Sequence, residues 1–335
     1  MKTALRLALA GLALACSGCS PVYVMKSWAG HSRLMSRRRP IAEVLADPGT
    51  PQELKAKLAL VEEVRRFAQE AMGMAPSRSY TAYVEVPGRW VTVAVTACGK
   101  TAFEPYEWWF PVVGKVPYKG YFDRPGAEEE AALLSAKGYD TALSEIAAYS
   151  TVGWSEDPVL STMLDGPPSR LADTLIHEMS HAAVYFKGQG DFNESMATFI
   201  GEEGSADFLR KRFGEGSPEW KRMVDDAARD KEHDEAVEAL YGELAVLYAA
   251  KRPEAEVLAL REAVFARRRE SLGLKDASRP LNNAVVLAWR RYHYDLGDFR
   301  RAHERLGKDW RKSLALWKSL DKRRPREALK DWLAN

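Results

Sequence analysis

Two histidines four residues apart are the clearest sign of chemistry in this sequence. They lie in the segment HEMSH as His177 and His181, and Glu178 follows the first of them. On a helix, residues at this spacing project from one face and can bind one cation through their imidazole nitrogens. A glutamate at the second position of such a segment lies beside a metal-activated water and takes its proton. The pattern therefore predicts a zinc site with Glu178 as general base.

The prediction of a zinc site depends on how often such a motif arises by chance and on whether the segment is helical. With 6 histidines in 335 residues, a match of this kind is expected in on the order of one in a hundred such chains. The alternative is a helix that carries two ordinary histidines. Pro167 and Pro168 precede the segment, Ser169 is a plausible N-cap, and nearby apolar residues provide a buried face. These apolar residues are Leu171, Leu175, Ile176 and Met179.

Catalytic zinc takes three protein ligands and keeps a position for water, so a third ligand is needed. Downstream, in GDFNESMATFIGEEG, Asn193 and Glu194 open a second predicted helix after two turn glycines. Glu194 is the predicted ligand, because its place resembles the Asn-Glu-x-x-Ala element of zinc peptidases. Glu202 or Glu203 could serve instead, or Glu194 could merely cap its helix with Asp191. No third histidine follows at the HExxHxxGxxH spacing, which excludes the metzincin subclass.

The amino terminus has the pattern of an export signal. Lys2 and Arg6 precede an apolar stretch that is too short to span a bilayer, and residues 1–19 end in small residues and a cysteine. This end resembles a bacterial lipoprotein signal, with Cys19 as the lipidated residue and Cys16 as an alternative. Serine follows either cysteine, and in lipoproteins of this kind the absence of aspartate there implies transfer to the outer membrane. We therefore expect a lipid-anchored protein of the cell envelope that faces the periplasm.

The elements that must position the site are predicted to form an α+β fold. A helix begins near Thr50, its expected N-cap. The segments TAYVEV and WVTVAVTA alternate as strands do and are predicted to pair with each other. Residues 107–122 suit irregular or edge strands, residues 126–137 a short helix and residues 141–154 a further strand or pair. The sequence thus predicts a small mixed or antiparallel sheet, then the HExxH helix, then a mostly helical carboxy-terminal region, in a zincin-like arrangement.

The predicted elements divide the chain into four parts. They are a signal peptide (1–19), a helical segment (20–76), a catalytic region (77–210) and a helical region packed on it (211–335). Hydrophobic residues make up 46% of the chain, which excludes a disordered protein. The net charge of +2 and the lack of a basic stripe argue against nucleic acid as a partner. After cleavage at Cys19 only Cys98 remains, which excludes a disulfide framework.

Several long blocks resemble the bacterial putative aminopeptidase family. They are AYSTVGWSEDPVLSTML and the run from LADTLIHEMSH to FNESMATFIGEEG, with VVGKVPYKGYFD and PLNNA in support. That family has an AYST-x-GW-x-x-DP block and an HE-x-x-H followed by FNE-x-x-A. The resemblance implies zinc ligands at His177, His181 and Glu194, with Glu178 as base and acid, and a peptide as substrate.

The remaining roles in peptide hydrolysis have weaker candidates. Tyr149, in the AYST block, is the predicted second electrophile for the carbonyl oxygen, and its alternative is a core aromatic. The RRYHYD segment, with Tyr292, His293 and Tyr294, is another source. An aminopeptidase also needs a carboxylate that binds the substrate amine, and the candidates are Glu104, Glu107, Glu145 and Glu156. The strand region from Val113 to Tyr121 is predicted to receive the peptide backbone by edge pairing. A zinc endopeptidase and a non-catalytic envelope lipoprotein are the competing functions.

Overall fold

The computed structural model describes residues 21–110, 114–148, 156–276, 279–293 and 296–335. The predicted signal peptide, Cys16, Cys19, Tyr149 and Tyr294 lie outside these ranges. The described helices include none with the length and apolar character needed to cross a membrane.

The arrangement of helices and strands confirms the predicted α+β class. The helices are α1 (Pro21–Met35), α2 (Ile41–Ala46), α3 (Gln52–Glu70), α4 (Arg124–Ala136), α5 (Pro168–Ala183), α6 (Gly190–Phe213), α7 (Pro218–Ala249), α8 (Glu254–Arg268), α9 (Asn283–His293), α10 (Leu296–Arg305), α11 (Trp310–Ser319) and α12 (Pro325–Ala334), with a short 3₁₀ helix at Ser161–Leu164. The strands are β1 (Arg39–Pro40), β2 (Ala82–Val84), β3 (Thr92–Cys98), β4 (Trp108–Phe110), β5 (Gly114–Val116), β6 (Lys119–Tyr121), β7 (Asp140–Ile146) and β8 (Val159–Leu160).

The helix predicted to begin at Thr50 is α3, but Thr50 is not its N-cap. Pro51 takes that place in an extended conformation, and no side chain caps the helix. Glu53 forms an ion pair with Lys57, one turn further on, at 2.8 Å. The amphipathic pattern is nevertheless present, because the face that includes Leu58 is buried in the main core.

The predicted pairing of TAYVEV with WVTVAVTA is wrong. The first segment forms β2, which lies between β1 and β8, whereas the second forms β3, which lies between β6 and β7. Alternation along a segment indicates a strand but does not identify its neighbour, which is decided by what each face can bury. Residues 107–122 form short strands, as predicted, with β4 paired to β5 and β6 at the edge of the β6-β3-β7 sheet.

Strand β3 is buried on both faces. Val93, Val95 and Ala97 pack against α4 on one side, and Cys98 lies with Ala284 of α9 on the other. Helix α4 covers residues 126–137 nearly as predicted, and it begins two residues earlier because the Asp123 carboxylate accepts the Gly126 N–H at 2.8 Å. The β6-β3-β7 sheet is therefore a layer between two helices, and the second of these, α9, also contacts α6.

The carboxy-terminal helices belong to two separate clusters of buried side chains. Helices α7, α8 and α9 share an apolar cluster that includes Leu240, Phe265 and Val286. Helices α10, α11 and α12 instead join the main core, where Phe299 and Trp317 pack around Phe199 of α6. The boundaries at residues 76 and 210 stay a prediction.

A buried ion pair connects the first of these clusters to the sheet. Arg261 of α8 donates to both carboxylate oxygens of Asp140 in β7, at 2.8 and 3.1 Å, and both side chains are buried. Asp140 also accepts the Asn283 N–H at 3.0 Å, and the Asn283 amide accepts from Tyr248 and donates to the Gly99 carbonyl. Every group in this network has a partner, as buried polar groups require.

We predict that Asp140→Ala lowers the free energy of unfolding by about 3–5 kcal/mol, because it leaves the Arg261 guanidinium buried without its carboxylate. Urea denaturation followed by circular dichroism measures the change. The control is Lys115→Gln, which breaks an exposed pair with Glu107 and should cost less than about 1 kcal/mol. Equal losses in the two variants would contradict this account.

Candidate metal centre

Helix α5 presents both histidines of the HEMSH segment on one face. The His177 and His181 rings lie 5.0 Å apart between centroids and are nearly perpendicular. The helix begins at Pro168 with Pro167 as its N-cap, so the predicted cap at Ser169 is wrong. Ser169 lies in the first turn instead, because Pro168, whose φ is fixed near the helical value, already occupies the first helical position.

Helix α6 comes close to α5 because two of its residues have no side chain. A Cβ atom at Gly201 would lie 2.5 Å from the Asp173 carboxylate and 3.2 Å from the His177 Cβ, and one at Gly204 would lie 3.1 Å from Ile176 Cγ2. A larger residue at Gly201 would also crowd the Asp173 backbone carbonyl, which lies 3.0 Å from that Cβ position, and one at Gly204 would displace the Met72 side chain. The two glycines therefore fix the distance between the helix faces that carry the site.

Asn193 holds the connection between these helices. Its side-chain oxygen accepts the Phe186 N–H at 2.9 Å, and its amide donates to the Phe186 carbonyl at 2.8 Å. Because α6 begins at Gly190, three residues before the predicted start at Asn193, Glu194 lies in the second turn and no side chain caps the helix. The alternative in which Glu194 and Asp191 cap the helix therefore does not match this geometry.

The Glu194 carboxylate lies against both histidines. Its Oε2 is 3.5 Å from His177 Nε2 and 3.8 Å from His181 Nε2. The three ligand atoms all lie within 4.8 Å of one another. Ligand atoms about 2.0–2.1 Å from a tetrahedral zinc are roughly 3.3–3.4 Å from each other, so the group would have to contract to accommodate the ion. Within the described ranges, these three residues are the one group of His, Cys, Asp and Glu side chains whose ligand atoms converge in this way.

The alternative ligands Glu202 and Glu203 lie further along α6. Both carboxylates face Arg300 of α10, with nitrogen to oxygen distances of 3.9 and 3.0 Å. They are partly exposed and are not in the converging group. The geometry therefore favours Glu194 as the third ligand.

Burial and charge give two of the three ligands the protonation state that metal binding needs. Burial lowers the pKa of His181 to about 4, so this imidazole is neutral at pH 7. Burial alone would raise the pKa of Glu194, but its hydrogen bond with His177 and the nearby positive groups keep it below its usual value. For His177 burial is outweighed by the Glu194 hydrogen bond and the Glu178 charge, and the pKa rises to about 9. His177 must therefore release a proton to act as a ligand.

Glu178 has the environment of a general base. Its side chain is buried in α5, and burial is the main reason why its pKa rises to about 7. The His177 charge opposes this shift, whereas the Glu194 and Asp157 carboxylates add to it. A base whose pKa lies near the working pH can both accept and return a proton.

The four glutamates proposed for the substrate amine lie elsewhere. Glu104 and Glu107 line a surface depression with Lys115 and Tyr139, Glu145 pairs with Arg124, and Glu156 pairs with Arg78. The buried carboxylate whose charge reaches Glu178 is instead Asp157, immediately before Pro158 and β8. Sequence reasoning missed Asp157, although it lies in the AYST-x-GW-x-x-DP block.

Arg291 of α9 is a second residue that sequence reasoning missed. It is buried, and its charge contributes to the low pKa of Glu194. The segment RRYHYD gives no sign of which of its two arginines points inward. The side chains of Tyr292 and His293, like Tyr149, are outside what the structure describes. The predicted peptide-binding edge at β6 is partly covered, because the Tyr23 hydroxyl donates to the Gly120 carbonyl at 2.8 Å.

The model of the family described as "Putative aminopeptidase" matches residues 22–333. No curated protein and no solved structure matches the chain significantly.

We predict that Glu194→Gln weakens zinc binding at least about 100-fold, because loss of a direct ligand should cost no less than loss of the groups that orient ligands. A chelator competition assay measures the dissociation constant. Glu202→Gln and Glu203→Gln are matched controls that remove one charge each from the same helix. The assignment of the third ligand is wrong if either control weakens zinc binding more than Glu194→Gln does.

Proposed function

Because the chain belongs to the putative aminopeptidase family, we propose that it is a zinc-dependent aminopeptidase. The observation that carries the proposal is the convergence of His177, His181 and Glu194 beside the buried Glu178. The order of elements, with a small sheet ahead of an HExxH helix and a second helix that supplies a glutamate, supports a zincin-like arrangement.

The donor set suits zinc, which binds imidazole and carboxylate groups and leaves one position for water. When bound, zinc supplies a Lewis acid for the peptide carbonyl and lowers the pKa of water to about 7. His177 and His181 would hold it from α5, and Glu194 would hold it from α6. Glu178 accepts the proton of the attacking water and gives it to the leaving amine.

The α-amine of the substrate distinguishes an aminopeptidase from an endopeptidase. Asp157 is the described carboxylate that best fits this role, because it is buried and its charge reaches Glu178. An ammonium group placed there would offset the mutual repulsion of the two carboxylates. Tyr149 stays our proposal for the group that polarises the carbonyl. A non-catalytic lipoprotein is disfavoured, because a structural zinc site has no need of a base at Glu178.

We predict that Glu178→Gln lowers kcat for aminoacyl and peptide substrates by roughly 10²–10⁴-fold, because it removes the general base. The zinc content should stay at that of the parent protein, since Glu178 is not a ligand in this proposal. Residues 20–335 are expressed, zinc is measured by mass spectrometry, and hydrolysis is followed with fluorogenic aminoacyl amides and short peptides.

The same assay separates the two kinds of peptidase. An aminopeptidase loses activity when the substrate amine is acetylated, whereas an endopeptidase cleaves the blocked peptide. If Glu178→Gln hydrolyses the free substrate as fast as its parent, or if the parent retains no stoichiometric zinc, the proposed activity is refuted.

We also propose that the chain is attached to the outer membrane through Cys19, facing the periplasm, and acts there on peptides. In a Gram-negative host, Cys19→Ser should abolish incorporation of radioactive palmitate, because the acylated thiol is lost. Cys16→Ser is the matched control and should remain labelled. Labelling that depends on Cys16 instead would move the anchor to that residue.

A further inference from the structure

Arg291 is a buried cation without an anionic partner among the described residues. It is 7% exposed. Its Nη2 makes two long contacts, both at 3.4 Å, with Thr96 Oγ1 and the Pro117 carbonyl. Its Nε is buried and has no hydrogen-bond partner among the described residues. Burial of a guanidinium is costly unless it is paired and hydrogen-bonded.

Among the described residues, Arg261 is the other buried arginine, and each of its guanidinium nitrogens has a hydrogen-bond partner nearby. Arg261 is 4% exposed and donates to both oxygens of Asp140 at 2.8 and 3.1 Å. Arg291 has comparable burial, but its Nε and Nη2 lack such a carboxylate in the described structure. Those two nitrogens form the fork that binds a carboxylate with two parallel hydrogen bonds.

The surroundings of Arg291 hold its guanidinium in place. Its Cζ lies 4.7 Å from the centre of the Tyr118 ring, within the range of a cation–π contact. Thr96 belongs to the central strand β3, and Pro117 lies between β5 and β6. Strands on one side and an aromatic ring on the other therefore restrict the rotation of the side chain, which favours a preformed binding group.

Arg291 is connected through Pro117 to the start of α6, the helix that carries Glu194. Pro117, whose carbonyl accepts from Arg291, packs against Gly190 at the start of α6, with its Cδ 3.6 Å from where a Cβ would stand. Glu194 follows one turn later on the same helix.

We propose that Arg291 binds the terminal carboxylate of a short peptide whose scissile bond lies at the His177, His181 and Glu194 group. This inference rests on the proposed peptidase function and names its substrate class, which is dipeptides and tripeptides. Each residue of an extended peptide spans only about 3.3–3.6 Å, so a carboxylate fixed near the metal centre limits the length beyond the cleaved bond. A longer peptide would place an uncharged amide at the fork.

The test compares peptides that differ only at the carboxyl terminus. Dipeptides are built on the amino-terminal residue that the fluorogenic series favours, each as the free acid and as the amide. The parent enzyme should prefer the free acid by about 10- to 100-fold in kcat/KM, as expected for hydrogen bonds to a charged group. Arg291→Met should reduce that preference to about threefold or less, mainly through a higher KM for the free acid.

Two further variants show whether the effect belongs to the guanidinium. Arg291→Lys keeps the charge but lacks the fork, so it should retain only part of the preference. Arg290→Met is the matched control on the same helix, because Arg290 pairs with Glu238 and stacks on Tyr241. It should keep the full preference. Circular dichroism and thermal melting verify that each variant is folded.

Direct binding distinguishes failure of this inference from failure of the proposed function. Calorimetric titration of the zinc-loaded parent and of Glu178→Gln should show tighter binding of the free dipeptide than of its amide, whether or not hydrolysis occurs. Loss of that difference in Arg291→Met supports the inference. If the parent cleaves and binds acid and amide equally, and Arg291→Met lowers both alike, the inference is overturned while the peptidase function stands.

Discussion

The closeness of α5 and α6 is the constraint on which the candidate site depends. Gly201 and Gly204 let the helix faces meet, and the two hydrogen bonds between Asn193 and Phe186 fix the connection. Only under this constraint does a carboxylate of the second helix reach both imidazoles of the first. The three candidate ligands therefore lie on helices, where packing rather than a flexible loop determines their positions.

The shifted pKa values of the candidate site follow from the same packing of α5 against α6. Four ionisable groups, His177, Glu178, His181 and Glu194, are brought together in a region with little access to water. Burial shifts each pKa in the direction of the neutral form, and the neighbouring charges then decide which groups stay ionised. Glu178 and Glu194 illustrate this, since the pKa of the first rises to about 7 and that of the second falls below its usual value.

The two buried guanidinium groups of the described residues differ in their hydrogen bonding. Arg261 and Asp140 lock the helices of the second cluster to β7, which makes that pair a structural element. Arg291, on a helix that touches both the sheet and α6, has comparable burial without an equivalent carboxylate among the described residues. A fold tolerates such a group when something else provides the compensation, and bound substrate can do so.

Periodicity and motif spacing in the sequence predicted the fold class and several individual helices. The α+β class, the amphipathic α3, the short helix near residues 126–137 and the buried apolar face of the HEMSH helix all follow from patterns within one segment. Helix starts were predicted less well at Thr50, Ser169 and Asn193, because adjacent prolines or an earlier turn set the first helical residue.

What the sequence by itself determined is the chemistry of the HEMSH segment, since two histidines and a glutamate at that spacing share one side of a helix wherever the helix lies. Tertiary structure alone decided that Glu194, and not Glu202 or Glu203, faces those histidines. It also decided that β2 and β3 join different sheets, and that Asp157 and Arg291 lie near the site. The physical reason is that these residues are far apart in sequence, and only the packing of whole helices and strands fixes the distances between them.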